Sequence, residues 1–544
     1  VTGRFTRALA ALVVAGSLAS CSRAGLGGVS TSRHPHRLVV ANGLGDPNSL
    51  NIHLDPGATT GDISELTQAY LVRYDARARP VPELATVVPT QKNHGISADG
   101  TTITWHLRRG VRWSDGAPFS GDDVVFSVHA IMNPANNEEQ GTSGWDLIKR
   151  MDEPDPYTVV FHLKRPYGSY VPLYFGTAAN EPCILPKHVL GRLHDINTAP
   201  YNSKPIGTGP FRVVEWRRGD AIELEANPYS WRGKPKLEHI TFKLLSSQET
   251  LAAQLQTGEV DLWPLMPPSY TLRLQNVPAL HVFVQPNFRT TNFDFQTRRP
   301  LVADVRVRQA IVRALDRRRL IATVLHGYGT MHDGVVIPLD PPAADDPTTP
   351  FNPASARALL ESAGWRLQPD GSRTKHGQRL ELSFVYPIGT EELIGTIEYL
   401  RSALAAAGIG IQTKGFDPSR FRAQISAGGI LYGGKYDVDA FPRTLEAVSD
   451  VNGLYSCNTI PPRGENATRF CDPRFDELLR DVDSSYDDAD RRRLFARAQT
   501  RFITDMPSIV LYVWKGGYAW NRHVREYAPP LLTPFDAMQD VDVR

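Results

Sequence analysis

The sequence predicts an α/β protein of several domains, and three observations carry that expectation. At 544 residues the chain is longer than one ordinary core, and at roughly 100 to 200 residues per domain about three are expected. From Phe351 to Phe421 helical and strand patterns alternate, as in βα units that build a mostly parallel sheet. Between Thr102 and Ser127 a strand, a turn, a second strand and a capped helix follow one another in one short block.

The elements follow in chain order. Arg4 and Arg7, the apolar run Ala8 to Gly16 and the small residues before Cys21 read as a targeting segment, too short to span a bilayer as a mature helix. Leu18-Ala19-Ser20-Cys21 resembles a bacterial lipobox, which implies that Cys21 is acylated and becomes the first mature residue. Ser22 to Arg37 has the composition of a flexible tether, and His34 and His36 within it are incidental. Val39 to Leu44 reads as a strand, Leu50 to Pro56 as an extended loop and Asp62 to Tyr74 as a helix. Ile103, Trp105 and Leu107 alternate with polar residues until Gly110 breaks the run. Ser114-Asp115-Gly116 supplies a turn, and Ser120 with Asp123 forms a capping box before the apolar positions Val124, Val125, Phe126 and Val128.

Further on, Gly207-Thr208-Gly209-Pro210 reads as a tight turn, since the Walker lysine of a phosphate cradle is missing. Alternating runs around Phe211, Ile222 and Ile240 are strands with one buried face. Ser246 with Glu249 opens a helix that Gly258 ends before Val260-Asp261-Leu262. Asp304 caps a helix with the stripe Ala310, Ile311, Ala314 and Leu315; Arg306, Arg308, Arg313 and Arg317 to Arg319 read as its solvated side. Helices over 354–363 and 391–407 alternate with strands over 380–385 and 409–415, and a helix over 487–501 precedes a strand at 507–512.

Three of these blocks carry a resemblance. TITWHLRRGVRWSDGAPFSGDDVVFS, the segment from Gly207-Thr208-Gly209-Pro210-Phe211 through Asn227-Pro228 to Gly258-Glu259-Val260-Asp261, and Asn292-Phe293-Asp294-Phe295 with Asp304 to Ile311 resemble the peptide and nickel solute-binding proteins of ABC transporters. The resemblance covers roughly residues 38 to 525. It implies a two-lobed periplasmic-binding-protein-like α/β fold with an additional domain inserted in the first lobe. Residues 1–21 would be the lipoprotein signal peptide and lipobox, 22–37 the tether, 38–77 with 204–290 and 501–544 the first lobe, 78–203 the additional domain, and 291–500 the second lobe. The chain would cross between lobes near 290 and near 500, and ligand would be trapped by hinge closure.

The same resemblance implies an extracytoplasmic component of an ABC importer that captures a short peptide. Its partners would be the permease and ATPase subunits and, through the lipid anchor, a membrane; it would act as a monomer. A nickel complex, a glycoside or another solute stays open as ligand, and an extracytoplasmic hydrolase is the reading from another class. In the peptide-binding members a second-lobe carboxylate meets the ligand's α-amine. Counting forward from Tyr436-Asp437 puts Glu446 there, with Asp450 as the other candidate. Thr60, Gly61, Asn292, Phe293 and Asn466 are the remaining ligand contacts the resemblance implies.

Composition sets exclusions. Sixty Lys and Arg nearly balance 58 Asp and Glu, so the chain has no nucleic-acid footprint. It lacks HExxH, GxSxG and a complete P-loop, so no catalytic residue, metal or cofactor is assigned. Of the cysteines that remain after Cys21, Cys457 and Cys471 lie close across a Pro- and Gly-containing loop and are expected to pair on export. Cys183, in Pro-Cys-Ile-Leu-Pro, reads as a buried small hydrophobe. One expectation is directly testable: Cys21→Ala should move the protein out of the membrane fraction, and an unchanged membrane-bound share would count against lipid attachment.

Overall fold

Most strands run about five or six residues. Two in this chain are far longer, Leu280–Phe295 with 16 residues and Ser508–Asn521 with 14, and they organise the molecule. The computed structural model describes residues 35–544 apart from 76–78, 139–141, 143, 177–181, 335–348, 390, 424, 445–447, 530–532 and 537. In it the two long strands run antiparallel, from Leu280 opposite Asn521 to Asp294 opposite Ser508. Their register shifts between Pro286 and Thr290 and again between Thr291 and Asn292. Pro286 carries no amide hydrogen for the ladder, so a break there is the expected response.

The other strands of the large sheet lie on both sides of this pair, with Gly329–Thr330 added against Ser508–Asn521 off the main path. Beyond Ser508–Asn521 come Leu262–Met266, Arg37–Val40, His239–Lys243, Ala221–Ala226 and Phe211–Arg217. Beyond Leu280–Phe295 come Val438–Thr444, Glu381–Pro387 and Gly410–Phe416. The first set packs on Leu38, Phe211, Ile222, Phe242 and the C-terminal Phe535 and Met538. The second packs on Phe293, Phe295, Phe384, Leu400 and Tyr512, with the Phe293 and Phe384 rings edge to face at 5.7 Å. A third core surrounds Trp105, Trp113, Trp145 and Phe161 in the segment between the first two parts of lobe one. The result is the two-lobed α/β fold with an added domain on the first lobe.

Local chemistry explains most elements. Ser120 and Asp123 form the expected capping box, with the Ser120 amide donating to Asp123 at 3.1 Å. Asp304 accepts from the Arg306 amide at 2.9 Å, and Gly258 ends its helix in the left-handed region. Glu381–Pro387, helix Glu391–Ala406 and Gly410–Phe416 make the expected parallel βα unit. The sheet as a whole is mixed, because 211–243 forms an antiparallel meander.

Several elements differ from the sequence reading. The first strand stops at Val40, since Gly43 and Gly45 take positive φ, and the first helix is Ala58–Thr67, with the chain extended again at Val72–Tyr74. The helix expected to be capped by Ser246 is capped by Ser247, which accepts from Thr250. The Gly207–Gly209 segment serves close approach: a Cβ on Gly207 would lie 1.9 Å from the Thr67 carbonyl oxygen, and the Gly209 amide donates to that oxygen at 2.9 Å. Arg308 and Arg317 are buried, not solvated. Arg308 donates to the carbonyls of Val302, Ala303, Asp505 and Met506, satisfying the C-terminal end of helix Asp488–Asp505. Arg317 donates to the Val510 carbonyl and pairs with Asp333.

Cys457 and Cys471 are joined, with Cα atoms 4.5 Å apart, and Cys183 is a buried free thiol. With a sequence separation of 14, the bond restricts a short loop. Replacing both cysteines by serine should lower unfolding stability by about 3 kcal/mol, read from denaturant midpoints. A loss near zero would mean the loop is held without the bond.

Candidate ligand-binding cleft

The two long strands place the surfaces that face each other across the lobes. Ser269 of helix Pro268–Leu274 on the first lobe donates to Glu392 of helix Glu391–Ala406 on the second at 3.2 Å. Tyr328 donates to Gln275 across the same boundary, also at 3.2 Å. At the opposite rim the added domain touches the second lobe. Tyr486 donates to the Gly100 carbonyl at 2.8 Å and accepts from the Tyr167 amide at 3.1 Å, while Ser169 donates to Asp483 at 3.1 Å. Gly168 is needed there because a Cβ would lie 2.1 Å from the Ser485 carbonyl oxygen.

Two arginines near the crossing strands are exposed. Arg289, on the long strand opposite Thr444, stacks over the Trp514 ring at 5.5 Å. Arg422 lies over Phe441 at 5.3 Å and donates to the Pro442 carbonyl at 3.0 Å. Both side chains reach solvent, yet the protein around them desolvates their guanidinium groups and holds their pKa below the ordinary value. Like charge adds to this, from Arg422 on Arg289 and from Arg443 on Arg422.

Arg443 belongs to a buried polar network. Asp294 and Asp439 sit directly opposite on neighbouring strands, and two carboxylates so placed cannot both stay ionised. Arg443 pairs with Asp294, which also accepts from Ser508. Burial and then Asp294 push Asp439 well above the usual carboxylate range. The neutral form of Asp439 therefore leaves one ion pair, Arg443 with Asp294.

The first lobe contributes acids. Asn42 donates to Asp62 at 2.8 Å, and burial pushes Asp62 up to about 7. Glu65, one helical turn on, accepts from the Phe535 amide at 3.0 Å and is pushed well up by burial and by Asp62. Glu65 also lines a small cavity with Arg232 and Asp536 of the first lobe and Glu83 of the added domain. Burial raises Glu83 to about 7 against the opposing charge of Arg232.

The residues singled out in the sequence are distributed as follows. Cys21 and Glu446 lie outside the described residues, and Asp450 falls in the first turn of helix Val448–Tyr455. Thr60 is buried and donates to the Ser49 carbonyl at 2.8 Å; the Gly61 amide donates to Gly57 within the helix. Asn292 accepts from Thr290 at 2.7 Å and donates to Ser508 at 3.4 Å. The Phe293 ring is inside the second-lobe core. Asn466 donates to the carbonyls of Ser456 and Phe470 and accepts from Thr468, holding the disulfide loop. These side chains brace the scaffold, whereas Arg289 and Arg422, which the sequence reading passed over, are exposed. Among the described residues no cluster of His, Cys, Asp or Glu is arranged to hold a metal ion, and no helix is long and apolar enough to cross a membrane.

Two lobes joined through paired strands are the architecture of this fold, and the chain belongs to the bacterial extracellular solute-binding proteins, family 5, whose middle region matches residues 79–455. It is 24% identical over 498 residues to the oligopeptide-binding protein AppA of Bacillus subtilis, covering 90% of this chain and 88% of that one. It is 27% identical over 501 residues to di/tripeptide-binding protein 2 of Pseudomonas aeruginosa, covering 86% and 89%. The solved structure of Bacillus subtilis AppA in complex with a nonapeptide superposes with a TM-score of 0.78 over 93% of this chain and 99% of that one, at 23% identity. NikA from Brucella suis in complex with Fe(III)-EDTA superposes with a TM-score of 0.80 at 22% identity, covering 93% and 100%.

The buried acids make stability depend on pH. A carboxyl whose folded pKa is raised holds its proton in the folded state where the unfolded chain has lost it, so its contribution is full below about pH 4 and is lost as pH rises through about 7. Asp62→Asn should flatten that decline and exceed the parent at pH 8 by on the order of 2 kcal/mol, read from urea midpoints across pH. Parallel curves for the two proteins would show that Asp62 titrates normally.

Proposed function

We propose that this chain is the extracytoplasmic solute-binding component of an ABC importer, that it captures short peptides between its lobes without altering them, and that it hands them to a membrane permease and its ATPase subunits. The observation that carries this reading is the pair of crossing strands. They join two lobes through one narrow sheet segment, so the lobes can part and close on a ligand while both cores stay intact. The relatives named for oligopeptides and for di- and tripeptides match along most of their length, which supports peptide as the ligand class. The protein acts as a monomer, anchored outside the membrane by lipid on Cys21. A carboxylate near Glu446, with Asp450 as the other candidate, meets the ligand's α-amine, because a buried ammonium needs a paired carboxylate.

Calorimetry with a pool of short peptides tests the ligand class, and the N-acetylated pool tests amine recognition. Acetylation, and separately Glu446→Gln, should each weaken binding by roughly tenfold or more, about 1.4 kcal/mol. Equal affinities would remove the amine assignment. No binding by either pool would remove peptide as the ligand class.

A further inference from the structure

His53, in the loop before the first helix, is fully buried against the added domain. Its Nδ1 lies 2.8 Å from Glu138 Oε2, and its Nε2 lies 2.8 Å from the Cys183 carbonyl oxygen. A carbonyl only accepts, which puts a proton on Nε2, and the bond to Glu138 needs a second proton between Nδ1 and Oε2. The couple thus holds two protons, where a neutral imidazole beside an ionised carboxylate would hold one. Glu138 makes no other side-chain hydrogen bond among the described residues, and its Oε1 is buried without a partner. The couple spans a boundary, since His53 belongs to the first lobe and Glu138 and Cys183 to the added domain. Ile52 and Tyr70 of the first lobe pack there with Leu185, Ile196 and Tyr201 of the added domain. Beside it Asn51 donates to the Asn202 side chain at 2.9 Å, and the Leu50 amide donates to the Asn202 carbonyl at 2.8 Å.

We infer that His53 and Glu138 form a proton-dependent pin that fastens the added domain to the first lobe, and that this joint loosens at alkaline pH when the shared proton leaves. Burial by itself would push the imidazole down, but Glu138 and the Cys183 carbonyl outweigh it and hold His53 well above the ordinary histidine range. The other titratable groups facing the couple are the Cys183 thiol and, beyond it, the Tyr70 and Tyr201 hydroxyls, both pushed up by burial. None of these is a cation, so nothing takes over from the imidazolium. Losing the proton leaves two acceptors facing each other at 2.8 Å and an uncompensated charge in a hydrophobic setting. Because the folded pKa is raised, the contribution of the pin is full below the ordinary histidine value of 6.5 and is lost as pH rises through the folded value. The added domain also carries Gly100 and Ser169, which meet the second lobe, so the pin sets how firmly that rim contact is tied to the first lobe.

Hydrogen exchange read by mass spectrometry on the full chain tests this, with protection corrected for the intrinsic rate at each pH. From about pH 6.5 to about pH 9.5, segments 48–56, 130–138 and 183–203 should lose protection roughly tenfold or more, while helix Glu391–Ala406 of the second lobe keeps its own. Glu138→Gln supplies an amide that can donate to a neutral Nδ1, so it should keep the joint closed and flatten the decline. His53→Leu removes both bonds and should leave the joint open at either pH. The pH series on the parent needs no variant, so a His53→Leu protein that fails to fold leaves the test intact. Unchanged protection of the three segments across the pH range, an equal loss in the second-lobe helix, or a Glu138→Gln protein with the parent's decline would overturn the inference.

Discussion

A sheet that is continuous across two cores has to bend somewhere, and here the bend is confined to one pair of strands. Between Pro286 and Thr290 the ladder loses its regular register, and opposite this stretch lies Trp514, with the Gly516-Gly517 pair just before it, opposite Gln285 and Val284. A missing amide on one strand and two residues without side chains on the other weaken the ladder where the lobes must move. On either side of it, paired strands and large apolar clusters hold each lobe together. Arg289 and Trp514 both lie at the edge of the irregular stretch.

Four charged groups stand out because the protein around them desolvates them. Asp62 and Glu65 sit on the first lobe, where burial favours their protonated forms. Arg289 and Arg422 sit on the second, where no neighbouring carboxylate neutralises them among the described residues. The Asp294–Arg443 pair is a support: it fixes two neighbouring strands to each other, and the protonated Asp439 avoids a second buried charge.

The capped helices and the βα unit were legible because their signals are local. Ser120 with Asp123, Asp304 and Gly258 each act within a few residues. The length of Ser508–Asn521 was not legible, because Lys515-Gly516-Gly517 reads as a break, and only pairing with a distant strand keeps it extended. Arg308 and Arg317 were misplaced for a related reason: what buries them is the carbonyls of residues 505, 506 and 510, far along the chain. The ligand contacts expected from the resemblance follow motif positions, and motifs preserve scaffolds. Thr60, Phe293 and Asn466 are accordingly found holding backbone or core, and the exposed arginines lie in stretches without a motif.

At the far rim, Tyr486, Asp483 and Gly168 join the added domain to the second lobe through groups that all belong to the protein. That clasp contributes equally to closure whatever the cargo, and contributes the same when there is none. A transporter that judged its delivery protein only by whether the jaws are shut would then accept empty vehicles. The energy that separates loaded from empty must come from contacts with the cargo itself, while the clasp acts alike on both.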